Sequence, residues 1–225
     1  MLRIAGITPF STVDWPGKIA CVAFLSGCPW SCPYCQNYQL RSIESATQTE
    51  EELFEFLDRR VGLLDAVVFS GGEPLAQAGL PDVVRAVRDK GFLVGLHTCG
   101  AYPERLREVL PLVDWVGLDV KAPWDAYERV AGVPGAGEQA RRSLDELLAA
   151  GVTFEARTTW HPDLLSEDDV ARIAHDLASR GVTSWAVQAY RAVGTTGVLA
   201  NTTVYPHDVP TDLPSLFERY EFRRA

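Results

Sequence analysis

Cys28, Cys32 and Cys35 fall in the run Gly27-Cys28-Pro29-Trp30-Ser31-Cys32-Pro33-Tyr34-Cys35-Gln36-Asn37, with three residues and then two between successive thiols. That spacing suits a tight loop whose sulfur atoms converge on one side. Pro29 and Pro33 stiffen the loop by fixing φ, and Gly27 can supply an unusual backbone angle at its entry. A thiolate cage favours an iron-sulfur cluster, zinc or cuprous copper over hard cations. Structural zinc sites and electron-transfer clusters are closed by four protein ligands, and no nearby residue offers an equally good fourth. Three thiolates around a cubane leave one iron open to something else.

A second set of polar residues closes a series of apolar runs. The run Ile19 to Leu25 leads into the cysteine loop, Ala66 to Phe69 into Ser70-Gly71-Gly72-Glu73-Pro74, and Phe92 to Leu96 into His97-Thr98-Cys99-Gly100. Trp115 to Val120 ends in Asp119-Val120-Lys121-Ala122-Pro123, Thr153 to Thr159 in Arg157-Thr158-Thr159-Trp160-His161-Pro162, and Trp185 to Ala189 in Gln188-Ala189-Tyr190-Arg191. Lys121 and Arg157 can bind a carboxylate, while Glu73 and strand-end carbonyls can receive an ammonium group. Such a rim suits a zwitterionic amino acid. The two glycines of the second run let the backbone come close to a ligand.

Between these six expected strands lie helical patterns at Glu51 to Arg60, Leu80 to Lys90, Pro103 to Leu110, Glu138 to Ala150 and Glu167 to Arg180. Thr49 with Glu52 reads as a capping box, and Gly91, Gly151 and Gly181 stand just past last turns. Strand and helix alternating at this pace indicate parallel βαβ units, whose active sites form at the carboxyl ends of the strands. Residues before Ile19 read as a short leader strand and turn, and those after Pro206 as an irregular tail with a short helix from Leu213. No linker divides the chain, so residues 1–225 are expected to form one domain, with a core over about 14–194 and a tail over 195–225.

The chain has 225 residues, 47% of them hydrophobic, and carries 30 acidic against 21 basic side chains for a formal charge of −9. That balance excludes the electrostatic footprint of a nucleic-acid binder. No apolar run reaches membrane-span length and no signal peptide is visible. Five cysteines, an odd number, fit a reducing cytoplasmic setting.

Through the Cys28, Cys32, Cys35 triad and the Gly71-Gly72-Glu73-Pro74 run, the chain resembles the radical S-adenosylmethionine superfamily. Val13-Asp14-Trp15-Pro16-Gly17-Lys18, the Phe24 to Asn37 segment, Asp119-Val120-Lys121-Ala122-Pro123 and Arg157-Thr158-Thr159-Trp160-His161-Pro162-Asp163 resemble glycyl-radical-enzyme activating proteins. Activators of anaerobic ribonucleoside-triphosphate reductase are the nearest match within that group. The resemblance implies an α/β fold, a partial (β/α)6 TIM-like barrel with mostly parallel strands, the radical SAM fold. It implies a 4Fe-4S cluster on Cys28, Cys32 and Cys35 and S-adenosyl-L-methionine chelated to the fourth iron. Tyr34 would lie near the adenine, Gly71, Gly72 and Glu73 would meet the methionine amino group, and Lys121 would bind its carboxylate. Arg157, Gln188 and Arg191 fall to the carboxylate, ribose or adenine side, and Thr98 joins them.

The implied activity is reductive cleavage of the cofactor to a 5′-deoxyadenosyl radical, which takes hydrogen from a glycine Cα of a partner enzyme. An electron donor such as flavodoxin or ferredoxin is then required, and no side chain needs to act as acid or base. Two departures stand out. Gln36 replaces a histidine common after the third cysteine, and His97-Thr98-Cys99-Gly100 replaces a common Asp-Thr-Asn-Gly, whose aspartate helps some activators bind a monovalent cation. Cys21 and Cys99 read as core residues, too few for a second four-thiolate cluster. Two other activities fit the same residues: a radical enzyme for a small molecule, and a closed metal-binding or electron-transfer module with His97, His161 or Cys99 as fourth ligand.

Overall fold

The computed structural model describes residues 1–192, 195, 199 and 212–224. Eight strands form one sheet in chain order: β1 (Ile4–Ser11), β2 (Ala20–Leu25), β3 (Ala66–Gly71), β4 (Leu93–Thr98), β5 (Trp115–Asp119), β6 (Phe154–Trp160), β7 (Ser184–Ala189) and β8 (Arg219–Arg223). β1 runs antiparallel to β2, and every later pair is parallel. Among the described residues no pairing joins β1 to β8, so the sheet is mostly parallel and open.

The crossovers carry α1 (Glu50–Asp58), α2 (Leu80–Asp89), α3 (Pro103–Val109), α4 (Tyr127–Ala131), α5 (Ala136–Ala150) and α6 (Glu167–Ser179). The Thr49 and Glu52 capping box is present at α1, and Ser166 with Asp169 forms a second one at α6. No helix among the described residues is long and apolar enough to cross a membrane.

Six strands and a short leader strand were expected, and eight strands are found among the described residues. The leader becomes an eight-residue strand, β1. The tail was expected to be irregular after Pro206; part of it lies outside the described residues, and Leu213–Leu216 forms a 3-10 turn near the expected short helix. Beyond that turn the sequence departs from expectation, because Arg219–Arg223 pairs in parallel with β7. Its Arg-Tyr-Glu-Phe-Arg alternation is a strand pattern hidden in a charged terminus. α4 was also missed; five residues are too few to establish helical periodicity.

The side-chain period of two divides the strands between two apolar layers. Cys21, Ala23, Val67, Phe69, Leu96, Leu118 and Val187 join the large core under the helices, which confirms Cys21 as a core residue. On the opposite face Ala20, Val22, Ala66, Val68 and Trp115 pack around Trp15, delivered there by the loop after β1. The Trp15 and Trp115 rings stack with centroids 5.6 Å apart. Trp15 fits only because position 95 has no side chain: a Cβ on Gly95 would lie 2.9 Å from Trp15 Cε3 and 3.1 Å from Val68 Cγ2.

Gly95→Ala is therefore expected to destabilise the fold by about 1–3 kcal/mol through overpacking, read as a lower urea midpoint with an unchanged slope. Gly6→Ala is the control. A Cβ there meets nothing within 4 Å, and its midpoint should not fall.

Candidate active site

The cysteine loop leaves β2 at Ser26 and is held by backbone bonds from several directions. Gly27 N donates to Leu40 O (2.8 Å), Cys28 N to Arg41 O (3.1 Å) and Ser31 N to Ala131 O (2.9 Å), while Glu73 N donates to Gly27 O (2.8 Å). This last contact explains the adjacent glycine. A Cβ on Gly72 would sit 2.3 Å from Gly27 O, and one on Gly71 would sit 2.4 Å from Leu25 N. Both glycines line the cavity below, yet the backbone they admit is that of the protein itself.

A cavity of about 410 Å³ opens at the carboxyl ends of the strands, with Cys28, Cys32 and Cys35 on one wall. Tyr34, Gly71, Gly72, Thr98, Lys121, Arg157 and Gln188 also line it, so seven of the nine expected cofactor residues share one space with the three thiols. As placed, no group of three or more His, Cys, Asp or Glu among the described residues could hold a single metal ion. The donor set is nonetheless one of soft sulfur. Burial holds the Cys32 thiol up at about 11 and raises Cys35, whereas a hydrogen bond from the Cys99 thiol draws Cys28 down.

In the same cavity, one carboxylate holds two cations. Asp119 Oδ2 lies 3.0 Å from Lys121 Nζ, and Asp119 Oδ1 accepts from Arg157 Nη2 at 2.9 Å and Nε at 3.2 Å. Burial alone would raise the Asp119 pKa, but Lys121 and Arg157 draw it down to about 2. Burial works against the Lys121 ammonium, but Asp119 beside it, joined by Tyr34, Cys32 and Cys99, outweighs that cost, so its pKa rises. Two cations on one anion leave a net positive wall suited to an incoming carboxylate. Lys121 Nζ lies 5.6 Å from the Tyr34 ring centroid, and Tyr34 Oη is buried with no hydrogen-bond partner. Tyr34 itself lines the cavity, but its hydroxyl oxygen is sealed from solvent.

Two expected residues lie elsewhere. Glu73 is fully buried behind the wall, where its carboxylate accepts from Leu75 N (2.9 Å), Thr98 Oγ1 (2.8 Å) and Cys99 N (2.8 Å). Arg191 is exposed, and its carbonyl accepts from Gln36 Nε2 of the cysteine loop at 3.2 Å. Conversely, Cys99 is buried as expected but also reaches the cavity. His161 does not line it; its Nδ1 accepts from Asp163 N at 3.1 Å.

Sequence reasoning assigned no role to Asp14, Asn37 or Asp119, and all three line the cavity. Asn37 Nδ2 donates to Gly71 O at 3.1 Å, fastening the cysteine loop to β3. His97 also lines the cavity. Its Nε2 lies 2.7 Å from the Asp14 carbonyl, which can only accept, so Nε2 carries the proton and Nδ1 accepts from Ser70 Oγ at 3.3 Å. Burial, aided by the Arg157 charge, lowers the His97 pKa to about 3. The ring is neutral.

The Radical SAM superfamily model matches residues 22–177. A Methanocaldococcus jannaschii protein named "Putative glycyl-radical enzyme activating enzyme" is 34% identical over 178 residues, which span 76% of this chain and 73% of the relative. A Ruegeria pomeroyi protein named PqqA peptide cyclase is 29% identical over 80% of this chain and 50% of its own. The fold matches that of Streptococcus suis SuiB bound to precursor peptide SuiA, with a TM-score of 0.69 and 13% identity over 89% of this chain and 47% of SuiB. The chain thus spans about half the length of the cyclase and of SuiB.

The neutral His97 has a pH consequence. Unfolded histidine titrates near 6.5 and folded His97 near 3, so between these values the unfolded chain binds a proton that the folded chain does not. Stability from this group is intact above about pH 6.5 and declines as pH falls toward 3, by about 2 kcal/mol between pH 7 and pH 5. Asp119 contributes its own loss only below about pH 3.8, outside that interval. Urea midpoints at pH 7 and pH 5 should therefore differ less in His97→Gln than in the wild type.

Proposed function

Because the chain belongs to the Radical SAM superfamily, we propose that it is a glycyl-radical-enzyme activating enzyme whose partner is an anaerobic ribonucleoside-triphosphate reductase. The observation that carries the reading is one cavity lined both by three thiols and by two cations that share a carboxylate. Similarity to the M. jannaschii protein supports the activator assignment, as does the motif set from Val13 to Lys18 and from Arg157 to Asp163. In this reading residues 1–225 act as one radical SAM domain.

Membership carries with it a 4Fe-4S cluster and S-adenosylmethionine. Cys28, Cys32 and Cys35 would hold the cluster, and binding it would require loss of the thiol protons that burial retains on Cys32 and Cys35. The chemistry supplied when both groups are bound is one-electron cleavage of the sulfonium C–S bond, leaving a 5′-deoxyadenosyl radical to take hydrogen from a partner glycine.

The side chains bind, orient and exclude water. Lys121 and Arg157 take the carboxylate of the amino-acid moiety, with Asp119 pairing and aiming both. Gly71 and Gly72 present backbone beside the amino group, while Glu73 acts from behind by holding Thr98 and Cys99. Tyr34 offers its ring to the adenine, and Gln188 a polar side chain to the ribose side. Arg191 contributes through its carbonyl, which steadies Gln36. The electron comes from a flavodoxin or ferredoxin.

The anaerobically reconstituted protein is expected to carry about four irons and four sulfides per chain and, with reductant, to convert S-adenosylmethionine to 5′-deoxyadenosine. Adding the reductase should produce a glycyl-radical doublet by paramagnetic resonance. Cys28→Ala, Cys32→Ala and Cys35→Ala should each abolish both signals. Zinc without sulfide would overturn the radical reading, and 5′-deoxyadenosine without a partner radical would redirect it toward peptide or small-molecule substrates.

A further inference from the structure

One fully buried side chain, Tyr127, the first residue of α4, touches both the cysteine loop and the segment that carries Asp119 and Lys121. Its ring stands edge-on to Trp30 of the cysteine loop, with centroids 5.7 Å apart and planes at 74°. The opposite contact is a stack on Trp124, 5.7 Å away at 13°, which orients the ring from outside. The next residues of the same element extend the brace, because Ala131 O accepts from Ser31 N.

The hydroxyl points the other way. Tyr127 Oη accepts from Lys121 N and donates to Asp119 O, both at 3.1 Å. Residues 119 and 121 are the two members of the ion pair on the cationic wall. At this point β5 has ended, and Val120 is tied on its other side by its N–H to Arg157 O (2.8 Å) and its carbonyl to Thr158 Oγ1 (2.8 Å). A single phenol therefore closes the turn from which Lys121 projects and fixes the spacing of Lys121 from Asp119.

We propose that Tyr127 is a positioning residue for the amino-acid end of the cofactor, its ring bracing the cysteine loop and its hydroxyl setting the place of Lys121. The inference rests on the radical-enzyme reading above and adds a division of labour within one side chain. Removing the hydroxyl while keeping the ring leaves the Trp30 contact in place and frees only the Lys121 turn. Cluster loading and cofactor affinity should then separate, which a general loss of stability would not produce.

The test is a double-mutant cycle on the cluster-loaded full chain, comparing wild type, Tyr127→Phe, Lys121→Met and the double variant. Iron and sulfide are counted per chain, and S-adenosylmethionine affinity is measured by equilibrium dialysis. Tyr127→Phe should hold the wild-type complement of iron and sulfide and bind the cofactor roughly three- to tenfold more weakly, a loss within that expected for a mispositioned charged hydrogen bond. In the Lys121→Met background the same substitution should cost nothing further.

Equal losses in both backgrounds would overturn the proposal, as would unchanged affinity in Tyr127→Phe. If Tyr127→Phe does not fold, 4-aminophenylalanine at position 127 retains a polar atom at the ring para position. Its smaller loss of affinity must likewise vanish in the Lys121→Met background. A wild-type chain that loads a cluster and binds the cofactor while the cycle shows no coupling rejects the role of Tyr127 alone. A wild-type chain that does neither rejects the radical-enzyme reading and this inference with it.

Discussion

The site depends on a buried cluster of three charges. Lys121 and Arg157 each retain only about a tenth of their side-chain exposure, and both end on Asp119. Placing two cations this deep is costly unless an anion meets them with good geometry. Asp119 offers one oxygen to each, and a third of its side chain stays open to the cavity. The arrangement forces neighbouring choices. Position 117 must be glycine, since a Cβ there would lie 2.8 Å from Arg157 Cζ, and His97 must remain neutral beside the same positive charge. Removing one cation would leave the other adequately paired, whereas removing Asp119 would leave two buried cations without a counter-charge.

The cysteine loop is organised by a different principle. Its placement comes mainly from main-chain bonds to Leu40, Arg41, Ala131 and Glu73, with the Asn37 side chain adding a bond to Gly71 O. A loop held by its backbone keeps its side chains available for ligation. The cost is steric. Gly72 can approach Gly27 O only without a side chain, so the glycine pair serves the docking of one loop on another before it serves any ligand.

The alternation of strands and helices was legible because apolar runs are separated by amphipathic ones, several with end signals such as the capping box at Thr49 and the glycines at 91, 151 and 181. The thiols and the residues at the strand ends were legible because parallel sheets place such residues on one rim, and seven of nine expected cofactor residues do line the cavity. Glu73 differs because residue type reveals a carboxylate but not the direction it faces; Thr98 and Cys99 compete for it from a strand 25 residues away. Arg191 differs because the chain turns outward after β7. Asp14 was hidden by distance: nothing local in Val13-Asp14-Trp15 says that the loop enters the sheet, since that depends on Gly95 leaving room for Trp15. β8 was hidden by its charge, which resembles a solvated tail.

The face opposite the helices changes character across the sheet, and this bears on how a large partner would approach. On β2 and β3 it presents Ala20, Val22, Ala66 and Val68, sealed by Trp15. On β6 to β8 it presents Arg157, Gln188 and Arg223, with Arg223 paired to the buried Glu155. The leader loop thus closes the apolar end, and the polar end borders the cavity. Because the described sheet does not close on itself, the space beside the cationic wall is bounded by side chains rather than by backbone pairing. A protein segment entering there would meet groups that can hydrogen-bond its main chain, whereas the apolar side offers only a filled core. The asymmetry of this face therefore gives the open sheet a direction, with Arg157 and its partner Asp119 on the polar side.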